Sequence, residues 1–104
     1  MEKEIKFKSG RTVTVGEISA LEDTLAYRMA GKDFEEDNKF AGSVIFQAAQ
    51  TALSVKKIDG VEVKRPRTTE ELFTFMAGFS KKEWTKVQDA YMEINIGEDD
   101  EQGE

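Results

Sequence analysis

Cysteine and histidine are both absent from the 104 residues. Without cysteine there is no disulfide, no thiolate nucleophile and no thiolate zinc site. Without histidine there is no imidazole acid–base chemistry, no Ser-His-Asp triad and little basis for a transition-metal site. Most mechanisms open to a small enzyme are thereby removed. No apolar run approaches the roughly 18–20 residues that a membrane-spanning helix requires, and Met1-Glu2-Lys3-Glu4 has no apolar core of the signal-peptide kind. These absences predict a soluble, intracellular protein that is not an enzyme and uses neither cofactor nor metal.

What is present suffices for one compact unit. Hydrophobic residues make up 38% of the chain and charged residues 35%, and ten aromatics (seven Phe, two Tyr, Trp84) can fill a core. A chain of this size buries roughly two-thirds of its unfolded surface, enough for one domain and too little for a multidomain enzyme or a solenoid array. The net charge of −6 is unevenly placed. Glu98, Asp99, Asp100, Glu101 and Glu104 put five acids into the last seven residues, while the other 97 hold 15 bases and 16 acids. The body is thus nearly neutral. The segment 98–104 has no apolar residue with which to offset its ordering entropy, so it is expected to be a disordered acidic tail on a folded domain of residues 1–97.

Residues 4–15 read as a β-hairpin, with Ile5, Phe7, Val13 and Val15 alternating with polar residues around Ser9-Gly10. A two-residue loop would send the two apolar pairs to opposite faces. A three-residue loop, Ser9 to Arg11, pairs Phe7 with Val13 and Ile5 with Val15 on one face. Ser19 and Glu22 have capping-box spacing, and Leu21, Leu25, Ala26 and Met29 continue a helix that Gly31 is expected to stop. A second helix is expected to begin within Asp33–Asn38, whose acids suit a helix start. It carries the longest apolar stripe: Ala41, Val44, Ile45, Ala48, Ala49, Ala52 and Leu53. Residues 55–64 form a second hairpin candidate about Asp59-Gly60, with Ile58 facing Val61 and Lys57 facing Glu62. Thr68–Glu71 and Ser80–Glu83 supply two further capping boxes. The first opens a short helix over Leu72–Ala77 ending at Gly78, the second a helix marked by Trp84, Val87, Ala90, Tyr91 and Ile94. The fold class is α+β: a mostly helical single domain of about four helices with one or two small β-hairpins.

Tests for chemistry give little. No glycine pattern matches a phosphate-cradling loop. Asp33–Asp37 places acids at alternate positions, but Asn38 and Val44 stand where a calcium loop needs Gly and Glu. Ser54 and Ser80 lie near lysines that nothing buries, so neither has an activated base, and Ser80 has a structural task as a cap. Lys56, Lys57, Lys64, Arg65 and Arg67 gather around the second hairpin. They lack interleaved aromatics for base stacking, which disfavours nucleic acid; a solvated hairpin, an acid-seeking protein surface or a docking spot for the chain's own tail remain open. The aromatics give a stronger signal. On a helix Leu72, Phe73 and Met76 share a face while Phe75 and Phe79 lie off it, and Phe34, Phe40 and Phe46 fall partly outside the stripe of the second helix. Phe40, Phe46, Phe73, Phe75, Met76 and Phe79 are therefore candidates either for an enveloped core or for an exposed protein-binding patch.

The chain resembles, over most of residues 5–95, the tail assembly chaperones of long-tailed, especially contractile-tailed, bacteriophages. The residues that carry the likeness are F-K-S-G-R-T-V-T-V, the Ala-rich helix, S-V-K-K-I-D-G-V-E-V, T-T-E-E-L, W-T-K-V-Q-D-A-Y-M-E-I-N and the acidic end. The resemblance implies a non-enzymatic protein of the infected host's cytoplasm, absent from the mature virion. It would bind and solubilise the apolar tape-measure protein and help recruit tail-tube subunits, and such proteins are often also made in a frameshifted, longer form. The Phe and Met surface would take up the partner's helices, and the acidic tail would add solubility. An alternative is a small structural or adaptor subunit that oligomerises within a phage or host complex. Neither reading calls for nucleic acid or a membrane as partner.

Overall fold

The structure, a computed structural model, describes residues 1–35 and 39–97, with the side chains of 32–35 and 39 left out. The segment 98–104, expected to be disordered, lies outside the described residues. The elements run β1 (Glu2–Lys6), β2 (Thr12–Gly16), α1 (Ala20–Glu35), α2 (Lys39–Ser54), β3 (Val55–Ile58), β4 (Val61–Glu62), α3 (Thr69–Met76) and α4 (Lys81–Asn95). The α+β class is as the sequence indicates. The two hairpins, however, do not stand apart: β2 and β3 pair antiparallel, giving one four-stranded sheet in the order β1-β2-β3-β4.

The first hairpin has the expected odd-numbered loop but a register displaced by two residues. Ile5 stands opposite Val13 and Lys3 opposite Val15. The cause is Gly10, whose φ of 97° makes it the left-handed last residue of a Lys8-Ser9-Gly10 loop closed by Phe7 N–H to Arg11 O (2.8 Å) and Gly10 N–H to Phe7 O (2.9 Å). An even displacement keeps the apolar set on one face. It also brings Lys3 and Arg11 to the two ends of that face, where they meet Glu93 and Glu83 of α4 at 2.8 and 3.3 Å.

The second hairpin turns as expected, with Asp59 and Gly60 both at positive φ and Ile58 opposite Val61 and Lys57 opposite Glu62. Asp59 also ties the turn to β2. Its N–H donates to Thr12 O at 2.7 Å and its carboxylate accepts from Thr12 N–H at 2.9 Å. Between β2 and β3 the register slips at Thr14/Val15, so that Val15 faces Val55 and Lys56 is the extra residue of a bulge. The bulge lets both Val55 and Ile58 pack on the inner face although two lysines separate them.

α4 lies on that inner face. Val87 and Ala90 pack with Phe7, Val13, Val15 and Val55. The second core cluster is helical: Ala26 and Met29 of α1 against Ala48, Ala49, Ala52 and Leu53 of α2, closed by Leu72 of α3. Alanines on both sides let α1 and α2 approach closely. Contacts from Asp23 to Gln50 and from Tyr27 to Phe46 show that the two helices run antiparallel. α1 does not end at Gly31 but continues to Glu35, so Asp33–Glu35 close α1 instead of opening α2, and α2 begins at Lys39 without acids in its first turn. Gly31 lacks a positive φ, and a glycine inside a helix costs only about 1 kcal/mol, which packing on α2 overrides. Glu36–Asn38 lie outside the described residues.

Two glycines test this backbone account with opposite signs. A Cβ at either Gly60 or Gly31 meets nothing within 4 Å, but Gly60 has φ 79° whereas Gly31 is helical. Gly60→Ala is expected to lower stability by about 1 kcal/mol, and Gly31→Ala to raise it by about 0.5–1 kcal/mol, both read from urea denaturation midpoints.

Candidate protein-binding surface and basic groove

The six candidate binding residues divide. In α3 the packed face is Leu72, Phe75, Met76 and then Phe79 just beyond the helix, an i, i+3, i+4, i+7 series. The face expected from the sequence, Leu72 with Phe73 and Met76, is therefore corrected: Phe73 points outward, 53% exposed. Phe75 packs against both core clusters. Phe79 sits edge-on to Phe7 (6.2 Å) and beside Phe75 (5.4 Å) and Trp84 (5.3 Å). Arg11 closes this aromatic group, its guanidinium 4.7 Å from the Phe79 ring centre and 5.6 Å from that of Phe7. The same guanidinium donates to Gly78 O (2.9 Å) and Glu83 (3.3 Å), while its buried Nε has no partner among the described residues. Phe75, Met76 and Phe79 are half-buried and packed against the core clusters, with Phe75 and Phe79 also meeting Trp84 at the start of α4. Phe46 is half-buried on the helical cluster, edge-on to Tyr27 at 5.9 Å.

Phe40 and Phe73 remain exposed. Phe40, Val44, Gln47 and Thr51 form one stripe along α2 by their helical spacing. The stripe is buried at Thr51 and open at Val44 (51% exposed) and Phe40 (79%). The rest of the fold thus covers the C-terminal end of this stripe and leaves its apolar N-terminal end bare. Val44, expected in the core, lies on this outer side because the packed arc of α2 is centred on Ala48, Ala49 and Ala52.

The five bases expected as one patch are also divided. Lys57 stands on the outer face of the sheet opposite Glu62. Lys56, swung aside by the bulge, and Arg65 both pair with the buried carboxylate of Glu22. Glu22 is the capping-box residue of α1: its N–H donates to Ser19 Oγ at 3.1 Å and its carboxylate accepts from Ser19 N–H at 2.8 Å. Burial pushes this carboxyl up, but the Ser19 N–H, the Lys56 ammonium and the Arg65 guanidinium together hold it below its ordinary value of 4.5. Around this ion group lies a groove of about 470 Å³, with Leu25, Leu53 and Pro66 among its apolar walls and Lys64, Arg65 and Arg67 among its bases. The cap at Ser19–Glu22 was legible in the sequence; the second task of Glu22 was not. The signal available for it was the pair Lys56-Lys57 between Val55 and Ile58, which breaks the two-residue alternation and marks a bulge.

The division of the aromatics is testable. Phe79→Asp is expected to cost at least about 3 kcal/mol and Phe73→Asp less than about 1 kcal/mol in urea denaturation. Glu22→Gln is expected to cost about 2 kcal/mol at pH 7, because it leaves Lys56 and Arg65 without their partner. Since the folded-state value of Glu22 is depressed, its contribution is complete above pH 4.5 and is lost as pH falls through the lower folded value. The stability gap between wild type and Glu22→Gln should therefore narrow on acidification below pH 4.5, as thermal melts across pH 2.5–7 would measure.

Comparison with protein-family models, curated proteins and solved structures finds no match for this chain, so the reading of its surface rests on geometry and chemistry.

Proposed function

We propose that the protein is a non-enzymatic assembly chaperone that takes an apolar helical segment of another polypeptide onto α2 and α3, in the manner of the phage tail assembly chaperones it resembles. The observation that carries this reading is the open end of the α2 stripe. Phe40 and Val44 lie one turn apart and exposed on a helix whose continuation, at Thr51, is already packed. A partner helix laid there adds one more member to an existing helical layer, with Phe and Val as its anchors. Phe73 provides a further exposed aromatic on α3. On this reading the client is the tape-measure protein, and the complex recruits tail-tube subunits in the cytoplasm of an infected cell. Among the described residues no helix is long and apolar enough to cross a membrane.

The test is co-expression with a tape-measure segment. The wild-type chain is expected to keep that segment soluble and to co-purify with it. Phe40→Asp combined with Val44→Asp should weaken the complex at least about 100-fold, given about 1.5–3 kcal/mol for each buried side chain, with the thermal melt of the free protein unchanged. Undiminished capture by the double variant would remove the α2 stripe as the site. If instead the isolated protein forms a stable oligomer that the double variant dissolves, the stripe is self-complementary, which is the behaviour of the alternative structural or adaptor subunit.

A further inference from the structure

The groove beside Glu22 has an excess of cations that the fold does not use. The carboxylate of Glu22 is fully engaged by Ser19, Lys56 and Arg65. Glu71, on the far wall, accepts from the N–H of Arg67. The side chains of Lys64 and Arg67 have neither ion pair nor hydrogen bond among the described residues, and Arg65 remains 53% exposed beyond its contact with Glu22. Three bases therefore rim a concave surface with apolar walls, a setting that attracts a chain of carboxylates.

The end of α4 is anchored to the β2–α1 connection that leads into the same groove. Asn95 Oδ1 accepts from Ile18 N–H at 2.9 Å, and its amide donates to Gly16 O at 3.3 Å. The next residue, Ser19, lines the groove and donates to Glu22, whose other oxygen holds Arg65. This unbroken series of contacts places the Arg65 guanidinium within about 15 Å of the Asn95 side chain. Residues 98–104 carry five acids and no base, and seven residues span up to about 24 Å.

We propose that the acidic segment 98–104 docks in cis on the basic rim formed by Lys64, Arg65 and Arg67, over the groove beside Glu22. The chain complements itself in charge at a site its own tether reaches. A tether this short supplies an effective concentration in the millimolar range, so an acidic partner entering the groove must first displace the segment. The near-neutral body and its acidic segment are then a matched pair, and the segment is a competitor for its own basic surface. This proposal is independent of the α2 stripe.

The absence of native cysteine makes the test direct. The full chain carrying Gln102→Cys is labelled with a nitroxide, and amide signals are compared before and after reduction of the label. At low salt the label is expected to broaden the amides of residues 64–71 to less than half their diamagnetic intensity. Most of that loss should be recovered at 0.5 M salt, where the screening length is a few ångströms. Recovery should also follow Lys64→Glu with Arg67→Glu, two residues whose side chains have no ion pair or hydrogen bond among the described residues. Broadening that neither salt nor this double variant changes would reflect the tether alone and would overturn the proposal. So would broadening of an isotope-labelled, nitroxide-free chain mixed with a nitroxide-bearing one, because the segment would then dock on a second copy.

Discussion

The carboxylate of Glu22 joins three parts of the chain that are distant in sequence. It closes the capping box of α1 through Ser19, receives Lys56 from the bulge of β3, and holds Arg65 in the connection to α3. A buried carboxylate is costly unless its lone pairs are satisfied and its charge is compensated. Both conditions are met only when the start of α1, the bulge and the 63–68 connection are all in place. The requirement fixes how the helical hairpin sits against the sheet. It also determines where the remaining bases fall: Lys64 and Arg67 flank Arg65 and are left on the groove's rim.

The sheet and α4 are joined by a second set of constraints that works through shape more than charge. β2 lies between β1 and β3, and Val13 and Val15 are fully buried. α4 crosses this face and is held at both ends by ion pairs, Arg11 to Glu83 and Lys3 to Glu93. The first of these is the better sheltered, since Arg11 is also stacked on Phe7 and Phe79. Phe75 links this layer to the helical cluster, so the aromatics near α3 serve chiefly to weld the two halves of the core. On α2 and α3 the large apolar side chains left uncovered are Phe40 and Val44 of the stripe together with Phe73.

The two proposed surfaces differ in physical character. The α2 stripe is apolar and suited to a helix, where area buried is the main source of affinity. The groove beside Glu22 is cationic, and its rim includes Lys64 and Arg67, whose side chains have no ion pair or hydrogen bond among the described residues, so its interactions are salt-sensitive. A protein that holds an apolar client while managing its own acidic segment would use both kinds. On the proposed reading, the first would give residence on the client and the second a contact that charged partners can displace.

Local chemistry was legible in the sequence. The Ser19, Thr68 and Ser80 caps, the Asp59-Gly60 turn, the odd-numbered first loop and the four helices follow from hydrogen-bonding groups and φ preferences acting over a few residues. The bare end of the α2 stripe was legible in part, since Phe40 lay off the core pattern. Tertiary structure decided what depends on residues far apart. It paired β2 with β3, carried α1 past Gly31, turned Phe75 and Phe79 toward the core and Phe73 outward, and set Lys57 apart from the other four bases of the second hairpin. The physical reason is common to these cases. A capping box or turn compares energies within one short segment, whereas the inner side of an aromatic helix or the aim of a lysine depends on which distant surface arrives to cover it.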